Sequence, residues 1–211
     1  MIKGIIFDMD NTLLQSNIDF PQMKSDVLEF LIRNSILSAE FDVHEHTTAT
    51  LIELARELGI TDDIYEAIMS KTTEHELLGM RGAGLEPGAK ELLESIYEKY
   101  VLVVLTNNSL EAAREALELT GISENFDIII GREQMSALKP SPSGYHYMMS
   151  KFKTIEPKEW IAIGDSWIDG KAAQAAGIPF VSYRVSADQM LQRCVKPIGN
   201  IEHLSGLLHY L

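Results

Sequence analysis

The chain has 211 residues and carries 18 Lys and Arg against 31 Asp and Glu, a formal charge of −13. Hydrophobic residues make up 45% and charged residues 23%, which excludes a disordered, collagen-like or membrane-spanning chain. The acidity argues against nucleic acid as a partner, since phosphate backbones need a basic face, and it requires any anionic ligand to be held by a local positive site.

In chain order, the first apolar run is Gly4-Ile5-Ile6-Phe7. It stops at Asp8, too early for a signal peptide or a membrane span, so a cytoplasmic location and no membrane partner are expected. Four similar runs follow at 101–105, 126–130, 160–163 and 180–183. They are rich in β-branched residues and continuous rather than alternating, as strands buried on both faces of a parallel sheet tend to be. Helix-like stretches separate them, at about 88–99, 109–120, 142–153, 167–176 and 201–210. This alternation predicts an α/β fold, a doubly wound parallel sheet built from right-handed βαβ units. The lone Cys194 allows no intrachain disulfide and is expected to be a small buried or half-buried thiol.

The segment from 15 to 85 breaks the alternation, because no strand-like run occurs in it. Met23, Val27, Phe30 and Leu31, then Leu51, Leu54, Ala55 and Leu58, recur at helical spacing. Thr61 before Asp62-Asp63 is a plausible helix N-cap. An all-helical subdomain inserted after the first strand is predicted, with residues 1–14 and 86–211 as the core and 15–85 as the insertion. Gly79 to Gly84 is glycine-rich enough for a hinge on the return.

Four clusters carry candidate chemistry, each following a strand-like run. Asp8 and Asp10 point to the same side of an extended chain, at the sheet edge where open α/β folds bind ligands. Two carboxylates there repel each other, and a divalent cation relieves that. The plainer reading is a polar turn. Asp165 and Asp169 follow the fourth run; Ser166-x-x-Asp169 also fits a helix capping box, so Asp165 is the better metal candidate. Thr106, Asn107 and Asn108 offer a hydroxyl and backbone N–H groups near a helix start, although Asn108-x-x-Glu111 fits a cap as well. Lys139 precedes Pro140-Ser141-Pro142, which keeps it off a helix; Ser141 would cap and Pro142 would open the next helix. A lone lysine is usually solvated. Taken together, Asp8 is suited to attack phosphorus as a carboxylate, with Lys139 and a metal offsetting charge, and Asp10 to move protons.

The set Asp8-Met9-Asp10-Asn11-Thr12, Thr106, Lys139-Pro140 and Gly164-Asp165-Ser166-Trp167-Ile168-Asp169 resembles the haloacid dehalogenase superfamily, over essentially the whole chain. The resemblance implies a Rossmann-like core with a helical cap, Mg2+ and an aspartyl-phosphate intermediate. It makes Asp8 the nucleophile, Asp10 the general acid/base, and Thr106 and Lys139 the phosphate holders, with Asn107 beside them. It assigns metal ligation to Asp8, Asp165 and the backbone carbonyl of Asp10; whether Asp169 touches the metal or only caps stays open. Where many relatives have Gly, this chain has Asn11, which tolerates left-handed backbone angles. The second aspartate speaks against dehalogenases and phosphonatases, and Phe20 stands where the β-phosphoglucomutase-like branch carries His. A phosphatase similar to the phosphoglycolate phosphatase group is therefore expected, acting on a small phosphorylated metabolite. A phosphomutase and a receiver-like phospho-acceptor module are the alternatives. Lys24, Arg33, Arg56, Lys71, Arg81, His44, His46 and His75 are the insertion's basic or titratable residues, most of them expected on solvated helix faces.

Overall fold

A computed structural model describes all 211 residues. In chain order the elements are β1 (Gly4–Phe7), β2 (Leu14–Gln15), α1 (Phe20–Arg33), α2 (Thr48–Glu57), α3 (Asp62–Met80), β3 (Gly84–Leu85), α4 (Ala89–Ile96), β4 (Val101–Leu105) and α5 (Leu110–Leu119). There follow β5 (Ile128–Ile130), α6 (Ser143–Lys151), β6 (Trp160–Gly164), α7 (Trp167–Ala175), β7 (Phe180–Tyr183), α8 (Ala187–Gln192) and β8 (Gly199–Ile201), with a closing 3-10 helix at Leu204–Tyr210.

Six strands form one parallel sheet in the order β5-β4-β1-β6-β7-β8. The side-chain period of two sends Ile5, Phe7, Leu102, Val104, Ile161 and Ile163 to one face, against α4, α5 and the closing 3-10 helix. Ile6, Val103, Leu105, Ala162 and Phe180 go to the other, against α6, α7 and α8. Burial on both faces is why these strands read as unbroken apolar runs. The chain reverses its direction of travel across the sheet at β1, which opens a crevice beyond the carboxyl ends of β1, β4 and β6.

The helical insertion is present. α1, α2 and α3 pack on each other around Val27, Leu31, Leu51, Ile52, Ala55 and Ile68. Thr61 caps α3, its hydroxyl accepting the Ile64 N–H at 3.4 Å. His75 on α3 meets Asp26 on α1 at 2.9 Å; the Gln22 hydrogen bond and then His75 hold the Asp26 carboxyl below its ordinary range.

The structure also corrects the sequence reading in several places. β2 and β3 form a two-residue antiparallel ribbon at the base of the insertion, too short to leave a pattern. Gly79 is no free hinge: it lies within α3, where an added Cβ would meet Ile18 Cα at 2.5 Å. β5 starts at Ile128, because Asp127 turns its carboxylate onto the Leu102 N–H at 2.8 Å. α4 ends before Glu98, whose φ is 62°. Ser109 rather than Asn108 caps α5, accepting the Ala112 N–H at 3.2 Å. α6 begins at Ser143, with Pro142 itself as the N-cap. The predicted helix at 201–210 is β8 and a 3-10 helix; β8 carries one apolar side chain in three and was not foreseen, and neither was α8. Cys194 and Leu58 are exposed.

Gly4 sits beneath the Trp160 ring, where an added Cβ would approach the ring carbons to 2.2 Å. Trp160 is fully buried and cannot swing away. Gly4→Ala is expected to cost about 1–3 kcal/mol through overpacking, read as a lower urea midpoint at unchanged m-value.

Candidate active site

Strand register builds the site. Phe7 pairs with Val104 of β4 and with Ile163 of β6, so the residues that follow each strand emerge side by side. They are Asp8, Thr106 and Asp165, and with Asp10, Asn107, Lys139 and Asp169 they line one cavity of about 450 Å³. The insertion supplies the opposite wall with Phe20, Lys24, His46, Ile52, Met69 and Glu76. Every candidate site residue from the sequence is thus brought to one place.

The chain turns sharply after Asp10. Asn11 has φ 54°, in the left-handed region that asparagine enters more readily than most residues. The Asn11 N–H donates to the Leu14 carbonyl at 2.7 Å, closing the turn into β2.

Lys139 is the electrostatic centre. It is 2% exposed, and the Lys139–Pro140 peptide is cis. Its ammonium donates to Asp8 Oδ1 at 2.7 Å, to Asp169 Oδ1 at 2.6 Å and to the Leu105 carbonyl at 2.9 Å, so all three protons are placed. Burial works against the charge, but the Asp169 and Asp8 carboxylates outweigh it and raise the lysine pKa. A lysine alone is usually solvated; here two carboxylates hold it buried.

One ammonium faces four carboxylates. Asp165 is pushed up to about 8 by burial and then by the Asp8 and Asp169 charges. Asp10 is pushed up to about 7 by burial and then by Asp8. Asp169 also moves up, for burial and Asp8 outweigh Lys139. Carboxyl oxygens of Asp8, Asp165 and Asp169 all lie within 4.8 Å of one another. Asp10 Oδ1 is buried without a hydrogen-bond partner. A cluster of hard oxygen donors short of positive charge fits a divalent cation. Asp169 has two duties: its Oδ2 accepts the Ser166 N–H at 3.1 Å at the start of α7, while Oδ1 holds Lys139.

The loop after β4 organises the rest. Thr106 is buried, and its hydroxyl accepts the Asn108 N–H at 3.1 Å, which leaves its own proton to donate. Asn107 brackets Lys139: its Nδ2 donates to the Lys139 carbonyl at 3.1 Å and its Oδ1 accepts the Lys139 N–H at 2.8 Å. Its side chain is therefore engaged with the lysine backbone. Asn108 donates to Asp10 Oδ2 at 2.8 Å.

Sequence reasoning missed the roles of four neighbours. Asn108 was read as a cap candidate, and only the packing of α5 turns its amide onto Asp10. Glu76 and Arg132, which meet at 2.5 Å in the cavity wall, lie 56 residues apart and share no local pattern. Arg56 is not simply solvated: it donates to the Ser136 carbonyl at 2.7 Å and ties α2 to the segment leading to Lys139.

Residues 5–183 match the family model described as haloacid dehalogenase-like hydrolase. The chain is 27% identical over 189 residues to a phosphoglycolate phosphatase of Rhodobacter capsulatus, covering 87% of this chain and 84% of that relative. It is 39% identical over 98 residues to a phosphoglycolate phosphatase of Haemophilus influenzae, a stretch that spans 46% of this chain and only 43% of that relative. Among solved structures, a hydrolase from Pseudomonas syringae superposes with TM-score 0.73 at 22% identity, covering 99% of this chain and 97% of the other. A haloacid dehalogenase-like hydrolase from Bacteroides fragilis gives 0.72 at 23%, covering 98% and 100%. These two likenesses establish the shared fold. A parallel sheet with its reversal at β1, a helical insertion after β2 and a match that runs through β1, β4 and β6 agree on one assignment: the chain belongs to the haloacid dehalogenase-like hydrolase family.

Proposed function

We propose that the protein is a magnesium-dependent phosphatase that hydrolyses a small phosphomonoester through an aspartyl-phosphate on Asp8, with residues 1–14 and 86–211 as its catalytic core and 15–85 as its cap. The observation that carries this reading is the convergence of Asp8, Asp10, Thr106 and Lys139 on one cavity roofed by α1–α3. Asp8 attacks phosphorus, forming the acyl–phosphate bond as the bond to the leaving oxygen breaks. Asp10, a buried carboxyl in the same cavity as Asp8, gives a proton to the leaving oxygen. It then takes a proton from water as the water attacks phosphorus and frees Asp8. The Thr106 hydroxyl proton is free to hold a phosphoryl oxygen, and Lys139, whose three protons go to protein oxygens, offsets the phosphoryl charge from beside Asp8. Asp8, Asp165, Asp169 and the Asp10 carbonyl would hold Mg2+, which supplies the positive charge that lets an anionic ester approach so many carboxylates. Closure of the helices over the cavity excludes bulk water from the first step.

Phe20 lines the cavity and has no group to take a proton, which favours transfer to water over the phosphomutase alternative. A receiver-like module has no place for the three inserted helices. The size of the cavity supports a metabolite rather than a macromolecular phosphate. Lys24 is the lining cation with no carboxylate partner: its ammonium donates to the His46 carbonyl at 3.1 Å, whereas Lys139 and Arg132 are paired. A free cation on the cap wall favours a substrate with a second anionic group, and phosphoglycolate, the substrate in the names of the curated relatives, has that chemistry. No helix is long and apolar enough to cross a membrane.

Asp8→Asn is nearly isosteric and is expected to bring hydrolysis of p-nitrophenyl phosphate to background with the fold retained; residual activity within tenfold of the parent would refute the nucleophile. Asp10→Asn is expected to lower kcat by about 10²–10⁴-fold, the usual contribution of a positioned acid/base. A chelator should stop turnover and added Mg2+ should restore it, with a concentration-dependent rise in thermal midpoint as the cation binds the folded chain. Lys24→Met is expected to lower the ratio of kcat/KM for phosphoglycolate over that for p-nitrophenyl phosphate about tenfold, the loss of one charge-assisted contact.

A further inference from the structure

Cap helix α3 reaches the catalytic loop through one carboxylate. Glu76 lies on its inner face, 3% exposed, in the cavity wall. Its Oε1 accepts from Arg132 Nη1 at 2.5 Å, and its Oε2 accepts the Ser109 backbone N–H at 2.9 Å. Arg132 follows β5 and is 7% exposed. Its Nη2 donates to the Met69 carbonyl at 3.1 Å and to the Thr73 hydroxyl, both on α3, and Nη1 reaches the Asn107 carbonyl at 3.4 Å. The Arg132 backbone N–H donates to the Asn108 carbonyl at 2.9 Å.

The pair therefore fixes the Asn107 carbonyl, the Asn108 carbonyl and the Ser109 N–H. This short stretch holds the two amides that organise the site, Asn108 on Asp10 and Asn107 around Lys139. A separate set of contacts comes from α2 and reaches the segment leading to Lys139, where Arg56 donates to the Ser136 carbonyl and Glu53 accepts the Leu138 N–H. Glu76 and Arg132 are desolvated, which is costly for two ions unless hydrogen bonds surround them, and here they do. If α3 moved away, Arg132 and Ser109 would lose their partners together.

We propose that Glu76 is a positioning residue that couples the seating of the cap to the alignment of loop 106–109, so that Asn108 meets Asp10 and Lys139 faces Asp8 when α3 is in place. The kinetic consequence rests on the phosphatase reading, whereas the structural consequence does not.

The test compares the parent with Glu76→Ala, Glu76→Gln, Arg132→Ala and the double variant E76A/R132A, by peptide-resolved hydrogen exchange and by p-nitrophenyl phosphate kinetics. In Glu76→Ala, exchange across 106–110 is expected to rise at least tenfold while β1 and β6 stay protected, and kcat to fall at least tenfold with KM within threefold. The double variant should be no slower than the slower single variant, since both remove one coupling. Glu76→Gln keeps an acceptor for Ser109 and should fall between parent and Glu76→Ala; it carries both measurements if Glu76→Ala fails to fold. A lower thermal midpoint with loop exchange and kcat unchanged would mean that the pair only seats the cap, and would overturn the proposal. If the parent hydrolyses no phosphomonoester, the phosphatase reading fails, and the exchange result alone decides the coupling: unchanged protection at 106–110 rejects it.

Discussion

The buried ammonium of Lys139 is the interaction on which the rest of the site depends. It stands between Asp8 and Asp169 at 2.7 and 2.6 Å, and its third proton goes to the end of β4. Without it, four carboxylates would converge at the sheet edge with no internal counter-charge. Even with it, the upward shifts of Asp10 and Asp165 show that positive charge is short. That deficit is the driving force for binding a cation.

A lysine in that position must be held by its backbone, since a flexible side chain alone would find water. Asn107 grips both backbone polar groups of Lys139, and Leu138 beside it packs into the apolar cluster of the cap. The loop that presents the central cation is therefore shared between core and cap. Arg56 and Glu53 reach the same segment from α2. Glu76 and Arg132 add the second tie, from α3 to the loop after β4. The helices act as more than a roof: their seating bears on the geometry below them.

Much of this was legible in the residues. The unbroken apolar runs gave β1, β4, β6 and β7, because burial on both faces leaves a continuous hydrophobic signal. The three cap helices followed from their apolar spacing and from the Thr61 cap. Asp8, Asp10, Thr106 and Asp165 stood out because each lies just past a strand-like run, and Lys139 because Pro140 behind it keeps it off a helix. The misses have physical reasons. β2 and β3 are two residues long, and β8 is an edge strand with a single buried residue, so none leaves a periodicity. The cap of α5 fell on Ser109 because the Asn108 side chain is drawn to Asp10, a partner 98 residues away.

The sequence by itself determined the buried strands β1, β4, β6 and β7, the helices of the insertion and the order of the polar clusters, since propensity, burial pattern and capping are local and act within a few residues. Only the tertiary structure decided which of those polar groups share one cavity, that Lys139 is buried rather than solvated, and that Glu76 answers Arg132. Those outcomes depend on sheet register and on the packing of α3 over the crevice, and both bring together residues whose separation along the chain carries no signal of contact.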